Sequence, residues 1–304
     1  MRKQQAPPIQ VHTIHELHRM LHLNKPLHPL VSVLDNNQMR TPAILPSNFL
    51  FNFYKISYKK TQNGKIGYGQ GFYDFEEGGM VFTAPNQLIS ITQEDTEYDG
   101  FSLAFHPDFI RNHELGRRIK DFGFFSYNTN EALHLSDKER TAIFAVIENI
   151  RQELNGSIDD FSQDVIISYI EVLLNLSNRF YKRQFITRKA VNHDLLAKME
   201  QLLDEYFNEE KTLGNGLPTV EYLAEQLYIS PSYLSDMLRS LTGQNAQQHI
   251  HEKLVERAKE FLVNTTFSVA EIAYQLGFEH PQSLNRLFKK KTNLSPLAYR
   301  ASLH

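Results

Sequence analysis

SVAEIAYQLGFEHPQSLNRLFKKKTNLSPLAYR, Ser268 to Arg300, is the stretch that decides the fold of the last third of this chain. It opens with a serine, whose hydroxyl can accept a hydrogen bond from an unpaired amide at the start of a helix. Apolar residues then recur at helical spacing, and Asn293 suits the left-handed turn that ends many helices. The stretch therefore predicts two short helices joined by a tight turn, with the second helix ending near Asn293.

An earlier segment of the chain repeats this pattern. TVEYLAEQL, Thr219 to Leu227, aligns with SVAEIAYQL, Ser268 to Leu276. YLSDMLR, Tyr233 to Arg239, aligns with SLNRLFK, Ser283 to Lys289, with one extra residue in the second turn. Gly243 then suits the turn that ends the first copy. The repeat predicts two helix pairs of the same kind.

Small residues occupy matching places in the first helix of each copy, Ala224 and Ala273. A small side chain there lets the second helix cross closely, at the steep angle of a helix-turn-helix. The expected cores are Leu223, Leu227, Leu234, Met237 and Leu238 in the first helix-turn-helix, and Ile272, Leu276, Phe278, Leu284, Leu287 and Phe288 in the second. Between them, Ala246 to Val263 predicts one long helix that holds the two in a fixed relative orientation.

The last third, Asp194 to Leu303, resembles the DNA-binding domain of the AraC/XylS family of bacterial regulators. The resemblance is most specific over Ser268 to Arg300, which carries an IA-x-x-x-GF core, an FKK run, SP and a closing YR. The sequence departs at Asn293, where glycine is more usual, and at Leu284, where an aromatic residue is common. The resemblance implies seven helices, with the second helix of each helix-turn-helix entering successive major grooves on one side of the duplex.

Exposed positions of the two recognition helices are the candidate DNA contacts, because such a helix turns its unpacked side chains to the DNA. They are Ser232, Tyr233, Ser235, Asp236 and Arg239 in the first helix-turn-helix, and Pro281, Gln282, Ser283, Asn285, Arg286, Lys289, Lys290 and Lys291 in the second. Arg286 can pair bidentately with guanine, and Gln282 or Asn285 with adenine. The lysines are expected on phosphates, which position a protein without reading sequence. Asp236 can accept from cytosine but repels phosphate, so we expect less base readout from the first helix-turn-helix.

The same features also occur in proteins that bind no nucleic acid. Paired helical hairpins build bundles and repeats without any affinity for DNA. A lysine run is often an ordinary solvated face. The charge balance does not distinguish a DNA-binding domain from an ordinary helical bundle, because residues 194–304 carry 11 basic against 14 acidic side chains. DNA binding therefore requires the cations to be concentrated on one face.

The N-terminal half has a different period, with short alternating segments separated by turn residues. Strands are predicted around Phe49–Phe53 and at Gly67–Phe75, Met80–Thr83, Leu88–Thr92 and Gly100–Phe105, with a hairpin turn at Asn63-Gly64. Regularly spaced short strands indicate a β-sandwich or barrel. YDFEEGGMVFTAPNQ, Tyr73 to Gln87, resembles the cupin-like sensor and dimerisation domains of the same family. The expected fold is thus α+β: a cupin-like β-barrel with appended helices, then an all-α domain with two helix-turn-helix units joined by a long helix.

Two helices are predicted after the strands. The first, from Asp137, carries one apolar stripe, whereas Val165 to Phe180 is apolar on nearly every side. A helix of the second kind must be covered on more than one face, either within the chain or by a second copy. The predicted division is a sensor and dimerisation domain over 1–183, a linker over 184–193 and the DNA-binding domain over 194–304.

Two groups of side chains in the N-terminal half allow different interpretations. The aromatic residues Phe51, Phe53, Tyr68, Phe72 and Phe75 can line a small-molecule pocket, but buried aromatics more often pack a core. The histidines His12, His15, His18 and His22 have helical spacing. Metal binding needs converging ligands with supporting neighbours, so we interpret them as surface or packing residues.

Composition narrows the class of protein. The chain has 41% hydrophobic and 22% charged residues, ordinary for a globular protein, and no cysteine, which excludes disulfides and thiolate chemistry. No apolar run predicts a membrane span or secretory signal, so a cytoplasmic setting is expected. No catalytic motif, metal or cofactor is predicted. The expected partners are double-stranded DNA, an unknown small-molecule effector, RNA polymerase and a second copy of the chain.

Two alternatives to this regulator remain from the sequence. One is a cupin-type enzyme or carbohydrate-binding protein with a helical appendage, which the absence of an H-x-H…E arrangement disfavours. The other is a DNA-bound architectural protein whose barrel binds nothing.

Overall fold

The computed structural model describes residues 7–38, 47–61, 65–68, 71–74, 78–91, 98–156 and 159–303. The chain divides into two compact units, an N-terminal unit Met1–Gln184 and a C-terminal unit Phe185–His304. None of the helices in these described ranges is long and apolar enough to cross a membrane.

The N-terminal unit combines β-sheets with helices. Its strands are β1 Ile9–Val11, β2 Val31–Asp35, β3 Ser47–Phe51, β4 Tyr54–Thr61, β5 Lys65–Tyr68, β6 Gly71–Asp74, β7 Gly79–Thr83, β8 Leu88–Ile91 and β9 Tyr98–Phe105. Its helices are α1 Ile14–Met20, α2 Pro107–Ile110, α3 Glu114–Arg118, α4 Asp137–Asn155 and α5 Ser162–Thr187, the last continuing a few residues into the C-terminal unit. The expected mixture of strands followed by helices is confirmed.

The strands form two sheets, with the orders β1-β3-β8-β5-β6 and β2-β9-β4-β7. β1 pairs with β3 in parallel, and every other described strand pair is antiparallel. The predicted turn at Asn63-Gly64 lies outside the described residues. The strands on either side of it, β4 and β5, belong to different sheets, so β4 pairs with β7 and β9 instead. Closure of the two sheets into a barrel stays a prediction.

The predicted strand Gly67–Phe75 is two strands. β5 and β6 pair antiparallel from Lys65↔Asp74 to Tyr68↔Gly71, so the chain reverses direction between them. The alternation of apolar residues is the same in one long strand as in two short ones, so the period alone does not reveal this reversal.

Two of the five candidate pocket aromatics pack in the core. Phe51 and Phe53 are 3% and 0% exposed, and their ring centroids lie 5.3 Å apart. They join a buried cluster with residues of β1, α1, β2, β3 and β9, namely Val11, Ile14, Leu17, Leu34, Phe49 and Ala104. The side chains of Tyr68, Phe72 and Phe75 lie outside the described residues, so the pocket interpretation is untested for them.

Helices α4 and α5 differ in how far the N-terminal unit covers them. The apolar stripe of α4 is buried as predicted, at Ile143, Val146, Ile147, Ile150 and Leu154. α5 buries one broad face, at Ile166, Ile167, Ile170, Leu173 and Leu174, while Phe161, just before the helix, and Val172 stay 72% and 45% exposed. The chain therefore covers most of α5, and whether a second copy covers the remainder stays a prediction.

The segment predicted to be a linker, 184–193, is helical on both sides of Arg188. Phe185 and Asn192 are buried there, and the side-chain amide of Asn192 donates to the Phe185 carbonyl at 2.7 Å. This hydrogen bond spans the break between two helices, so a segment without apolar periodicity is nevertheless ordered. The division into the domains 1–183 and 194–304 stays a prediction.

The C-terminal unit is helical throughout its described residues. Its helices after α5 are α6 Lys189–Asn208, α7 Lys211–Asn215, α8 Val220–Gln226, α9 Pro231–Thr242, α10 Ala246–Asn264, α11 Val269–Gln275, α12 Pro281–Thr292 and α13 Pro296–Ala301. From α6 onward this makes eight helices among the residues described, against the expected seven. The difference corresponds to α7, a five-residue helix in which the hydroxyl of Thr212 donates to the Gln275 carbonyl at 2.8 Å.

Candidate nucleic-acid interface

α8 and α9 form the first helix-turn-helix. The hydroxyl of Thr219 accepts from the Tyr222 amide at 3.1 Å and caps α8, and Ser230 caps α9 in the same way. Ala224 is 1% exposed, so it is buried as a close helix crossing requires, and the crossing angle stays a prediction. Gly243 ends α9 with φ +80°, the left-handed conformation predicted for it.

α11 and α12 form the second helix-turn-helix with the same construction. Ser268 and Glu271 make a capping box, in which each side chain accepts from the other's amide. Ala273 is 0% exposed, and Asn293 ends α12 with φ +62°. Asparagine thus adopts the conformation that glycine more usually supplies, as predicted.

The predicted cores are confirmed except at their edges. Leu227 and Leu287 are half-buried rather than buried. The long helix α10 lies between the two helix-turn-helix units as predicted and buries Ala246, Ile250, Leu254, Val255, Ala258 and Leu262.

The turns inside the two helix-turn-helix units have matching backbone hydrogen bonds. In the first, the Ile229 amide donates to the Ala224 carbonyl at 3.0 Å; in the second, the Phe278 amide donates to the Ala273 carbonyl at 2.9 Å. Each turn passes through a left-handed residue, Tyr228 in the first and Gly277 in the second, with φ of +57° and +87°. The sequence repeat therefore reflects a repeat of backbone geometry.

α12 presents a basic face. Gln282, Arg286 and Lys289 lie three to four residues apart, so they share one side of the helix, and all three are exposed. Arg286, Lys289 and Lys290 form no ion pair with any residue in the part of the chain that the structure describes. Positive charge on this face is therefore available to an anionic partner.

The remaining α12 residues predicted to contact DNA differ in exposure. Ser283 and Asn285 are exposed and Pro281 is half-buried. The side-chain amide of Asn285 donates to the Pro281 carbonyl at 3.2 Å, so a base contact from Asn285 requires it to give up that bond. Gln282 has no such bond among the described residues and is the better placed of the two predicted adenine readers.

α9 presents a different face at the matching positions. Asp236 stands where α12 has Arg286, and its carboxylate is paired with Arg239 at 2.8 Å. Ser232 and Ser235 are half-buried. The charges of Asp236 and Arg239 on α9 thus offset each other, and weaker base readout by the first helix-turn-helix stays a prediction.

Tyr233 corrects one prediction. It was expected to be exposed, but it is 6% exposed, and its ring lies edge-on to Phe185 with centroids 5.2 Å apart. The matching residue of the second helix-turn-helix, Ser283, is exposed. The C-terminal end of α5 covers the first helix-turn-helix at this point, and the local repeat gave no signal of that neighbour.

Two basic residues have structural roles: Arg300, and Lys291, which was expected on a phosphate. The guanidinium of Arg300 donates to the Leu262 carbonyl at 3.1 Å, so the closing YR of the motif caps the C-terminus of α10. Lys291 pairs with Glu252 at 3.1 Å and ties α12 to α10. The lysine run is therefore divided, because only its first two members lack such a partner in the described ranges.

The same lysines affect the local electrostatics of α12. They lie in its last turn, where positive charge offsets the negative end of the helix dipole. Burial, followed by the charges of Lys291 and Lys290, lowers the pKa of His251. This lowered pKa favours the neutral form of the His251 imidazole.

The four histidines of the N-terminal region do not converge. His18 is buried, with Nε2 2.9 Å from the Ser32 hydroxyl and Nδ1 2.5 Å from the Asn24 carbonyl. Nδ1 of His12 lies 2.9 Å from the Asn52 side-chain amide. No group of three or more metal-ligating side chains occurs within the described ranges.

Tyr228→Gly is expected to stabilise the C-terminal unit. The left-handed region costs an L-residue about 1–2 kcal/mol, and replacement by glycine removes this cost. Glycine also loses more conformational entropy on folding, which cancels part of the stabilisation. The expected net gain is about 0.5–1 kcal/mol in the free energy of unfolding, measured by urea denaturation. Tyr274→Gly, in regular helix, should destabilise by a similar amount. A loss of stability at Tyr228 contradicts the strain argument.

The N-terminus of α11 is expected to weaken in acid. Hydrogen bonds from the Ser268 amide and hydroxyl lower the pKa of Glu271 below its ordinary value of 4.5. A lowered folded-state pKa gives stability that is present above 4.5 and lost as pH falls through the folded value. Hydrogen exchange of α11 amides should therefore speed up below pH 4.5, beyond its intrinsic pH dependence. Glu271→Gln, which keeps the capping box, should remove that pH dependence. If an NMR titration shows no lowering of the Glu271 pKa, this prediction is wrong.

Comparisons with known proteins agree with this geometry. Residues 223–302 match the family model described as a helix-turn-helix domain. The chain is 34% identical over 86 residues to the uncharacterised HTH-type transcriptional regulator YijO of Escherichia coli K12, covering 28% of this chain and 30% of that protein. It is 32% identical over 158 residues to the HTH-type transcriptional activator RhaS of Salmonella schwarzengrund, covering 50% of this chain and 53% of that protein.

Among solved structures, the DNA-binding domain of AdpA in complex with a target DNA is 29% identical, with a TM-score of 0.30, covering 36% of this chain and 90% of that one. The matched segments span about a third to a half of the two curated regulators. The family model matches the C-terminal part of the chain. Residues 223–302 are therefore a helix-turn-helix domain, and the chain is similar to HTH-type transcriptional regulators.

Proposed function

We propose that this chain is a sequence-specific DNA-binding transcription regulator of the AraC/XylS type. The observation that carries the proposal is the face of α12, where Gln282, Arg286, Lys289 and Lys290 are exposed and the three cations lack ion pairs among the described residues. A guanidinium can read guanine bidentately in the major groove, and lysines bind phosphates. On a helix-turn-helix domain this face is the one that enters DNA.

The two helix-turn-helix units contribute unequally in this proposal. α12 inserts into one major groove and supplies most of the base readout and charge. α9 enters the next groove on the same side of the duplex through Ser232, Ser235, Asp236 and Arg239. Because the charges of Asp236 and Arg239 offset each other, α9 contributes mainly by fitting the groove and fixing the position of the domain along the DNA. Tyr233 drops from the set of direct contacts, since its ring is used in packing.

The N-terminal unit is the regulatory part of the proposal. Its two sheets and the cluster around Phe51 and Phe53 support a cupin-like sensor domain. A small-molecule effector at this domain, or a second copy of the chain, biases the DNA-bound state, and RNA polymerase is the partner through which transcription responds. In this proposal the second copy covers the exposed Phe161 and Val172 at α5. The chain acts as a regulator and not as an enzyme.

Selective retention of genomic DNA tests this function. The purified full chain is mixed with sheared DNA from the organism that encodes it, at moderate salt, and the retained fragments are sequenced. Enrichment of a few fragments that share two short half-sites about one helical turn apart is expected. Uniform weak retention that collapses as salt rises means electrostatic contact alone, and it overturns sequence-specific regulation.

A further inference from the structure

Tyr228 is the most exposed large apolar or aromatic side chain in the described part of the chain, at 85%. It lies in the turn between α8 and α9. Its side chain makes no hydrogen bond or ring contact with the described residues, so it contributes nothing visible to packing. A tyrosine in such a place has both its ring and its hydroxyl free for a partner.

The backbone conformation at Tyr228 is strained for any residue other than glycine. Its φ of +57° is in the left-handed region, where the matching residue of the second helix-turn-helix is Gly277. Glycine adopts that conformation freely and tyrosine does not. A strained residue that packs against nothing indicates that its side chain serves another purpose, since strain of this kind collects at functional sites.

The turn lies beside the DNA when the helix-turn-helix is docked. In that geometry the first helix crosses the DNA backbone and the N-terminus of the second enters the major groove. Tyr228 follows α8 and stands two residues before Ser230, which caps α9. It is thus placed at the phosphate backbone that borders the groove of the first helix-turn-helix.

The recognition helix of the first helix-turn-helix has little free charge for phosphate, because Arg239 is paired with Asp236. A neutral hydroxyl donor can bind a phosphate oxygen without adding charge. We infer that the hydroxyl of Tyr228 donates a hydrogen bond to a DNA phosphate and anchors the first helix-turn-helix. This inference rests on the proposed DNA-binding function and adds a contact outside the recognition helices.

Tyr228→Phe is the sharpest test, because it removes only the hydroxyl and keeps the ring and the backbone strain. The dissociation constant of the full chain for a fragment selected from genomic DNA is measured at several salt concentrations. Loss of one hydrogen bond to a charged group is expected to weaken binding about 10–150-fold. Since a neutral donor releases no counterion, the slope of affinity against salt should stay unchanged. Lys289→Ala should instead reduce that slope by about 0.9.

Tyr274→Phe is the control for loss of an exposed tyrosine hydroxyl, because Tyr274 is 55% exposed but has helical backbone, in the last turn of α11 in the second helix-turn-helix. It should bind like the unaltered chain. If Tyr228→Phe also binds like the unaltered chain while Lys289→Ala is weakened, the Tyr228 contact is wrong and the proposed function stands. If the unaltered chain selects no fragments, the proposed function fails, and the Tyr228 contact fails with it.

Discussion

Arg286→Ala is expected to weaken binding to the selected DNA by about 1–3 kcal/mol, or about 5–150-fold, and to relax preference at one base position. Arg286 is exposed on α12, and it forms no ion pair with any of the residues described. Its removal therefore costs few contacts within the protein. The expected loss comes from the bidentate pair with guanine, which no neighbouring side chain of the same helix can replace.

A panel of single-base variants of the selected site measures this effect. The unaltered chain should discriminate at the position that Arg286 reads, and Arg286→Ala should bind all four bases there alike. Lys290→Ala is the matched control, since it removes one exposed cation from the same helix and should weaken all sites equally. Equal losses on every sequence for Arg286→Ala make it a phosphate contact and remove it from base readout.

Phe288→Ala is expected to destabilise the C-terminal unit by about 3–5 kcal/mol. Phe288 is 0% exposed, and its ring lies edge-on to Tyr299 with centroids 5.5 Å apart. It therefore fixes the buried side of α12 against α13. Truncation leaves a cavity directly behind the helix that carries Arg286, so DNA affinity should fall as well.

Hydrogen exchange of the full chain separates these two effects. The opening free energies of α12 and α13 amides should fall in Phe288→Ala, while those of β4 and β9 in the N-terminal unit should not change. Lys290→Ala, an exposed substitution on the same helix, should leave exchange of α12 nearly unaltered. Protection of α12 within about 1 kcal/mol of the unaltered chain contradicts the core role of Phe288.

The two helix-turn-helix units follow one plan but have different surfaces, which gives them different roles. At matching positions, Arg286 and Lys289 of α12 stand where α9 has Asp236 and Arg239. In α9 these two side chains pair with each other at 2.8 Å. A side chain engaged in an internal ion pair must break it before it reads a base, so α12 is expected to supply most of the specificity.

Local signals in the sequence determined the two helix-turn-helix units. Helix caps such as Ser268, turn residues such as Gly243 and Asn293, and the small residues Ala224 and Ala273 act through neighbours a few positions away. The residues that make such interactions are close in the sequence, and the internal repeat contains them twice. The basic face of α12 follows from the same helical spacing.

Tertiary structure decided what depends on distant neighbours. The end of α5 buries Tyr233, and α10 binds Lys291 and Arg300. These three side chains therefore make contacts within the protein that the sequence does not reveal. The strands beside Asn63-Gly64 belong to different sheets, because pairing depends on which strands meet and not on the turn between them. Caps and periodicity are local interactions, whereas burial and strand pairing are set by residues far apart in the chain, and only the folded molecule brings those together.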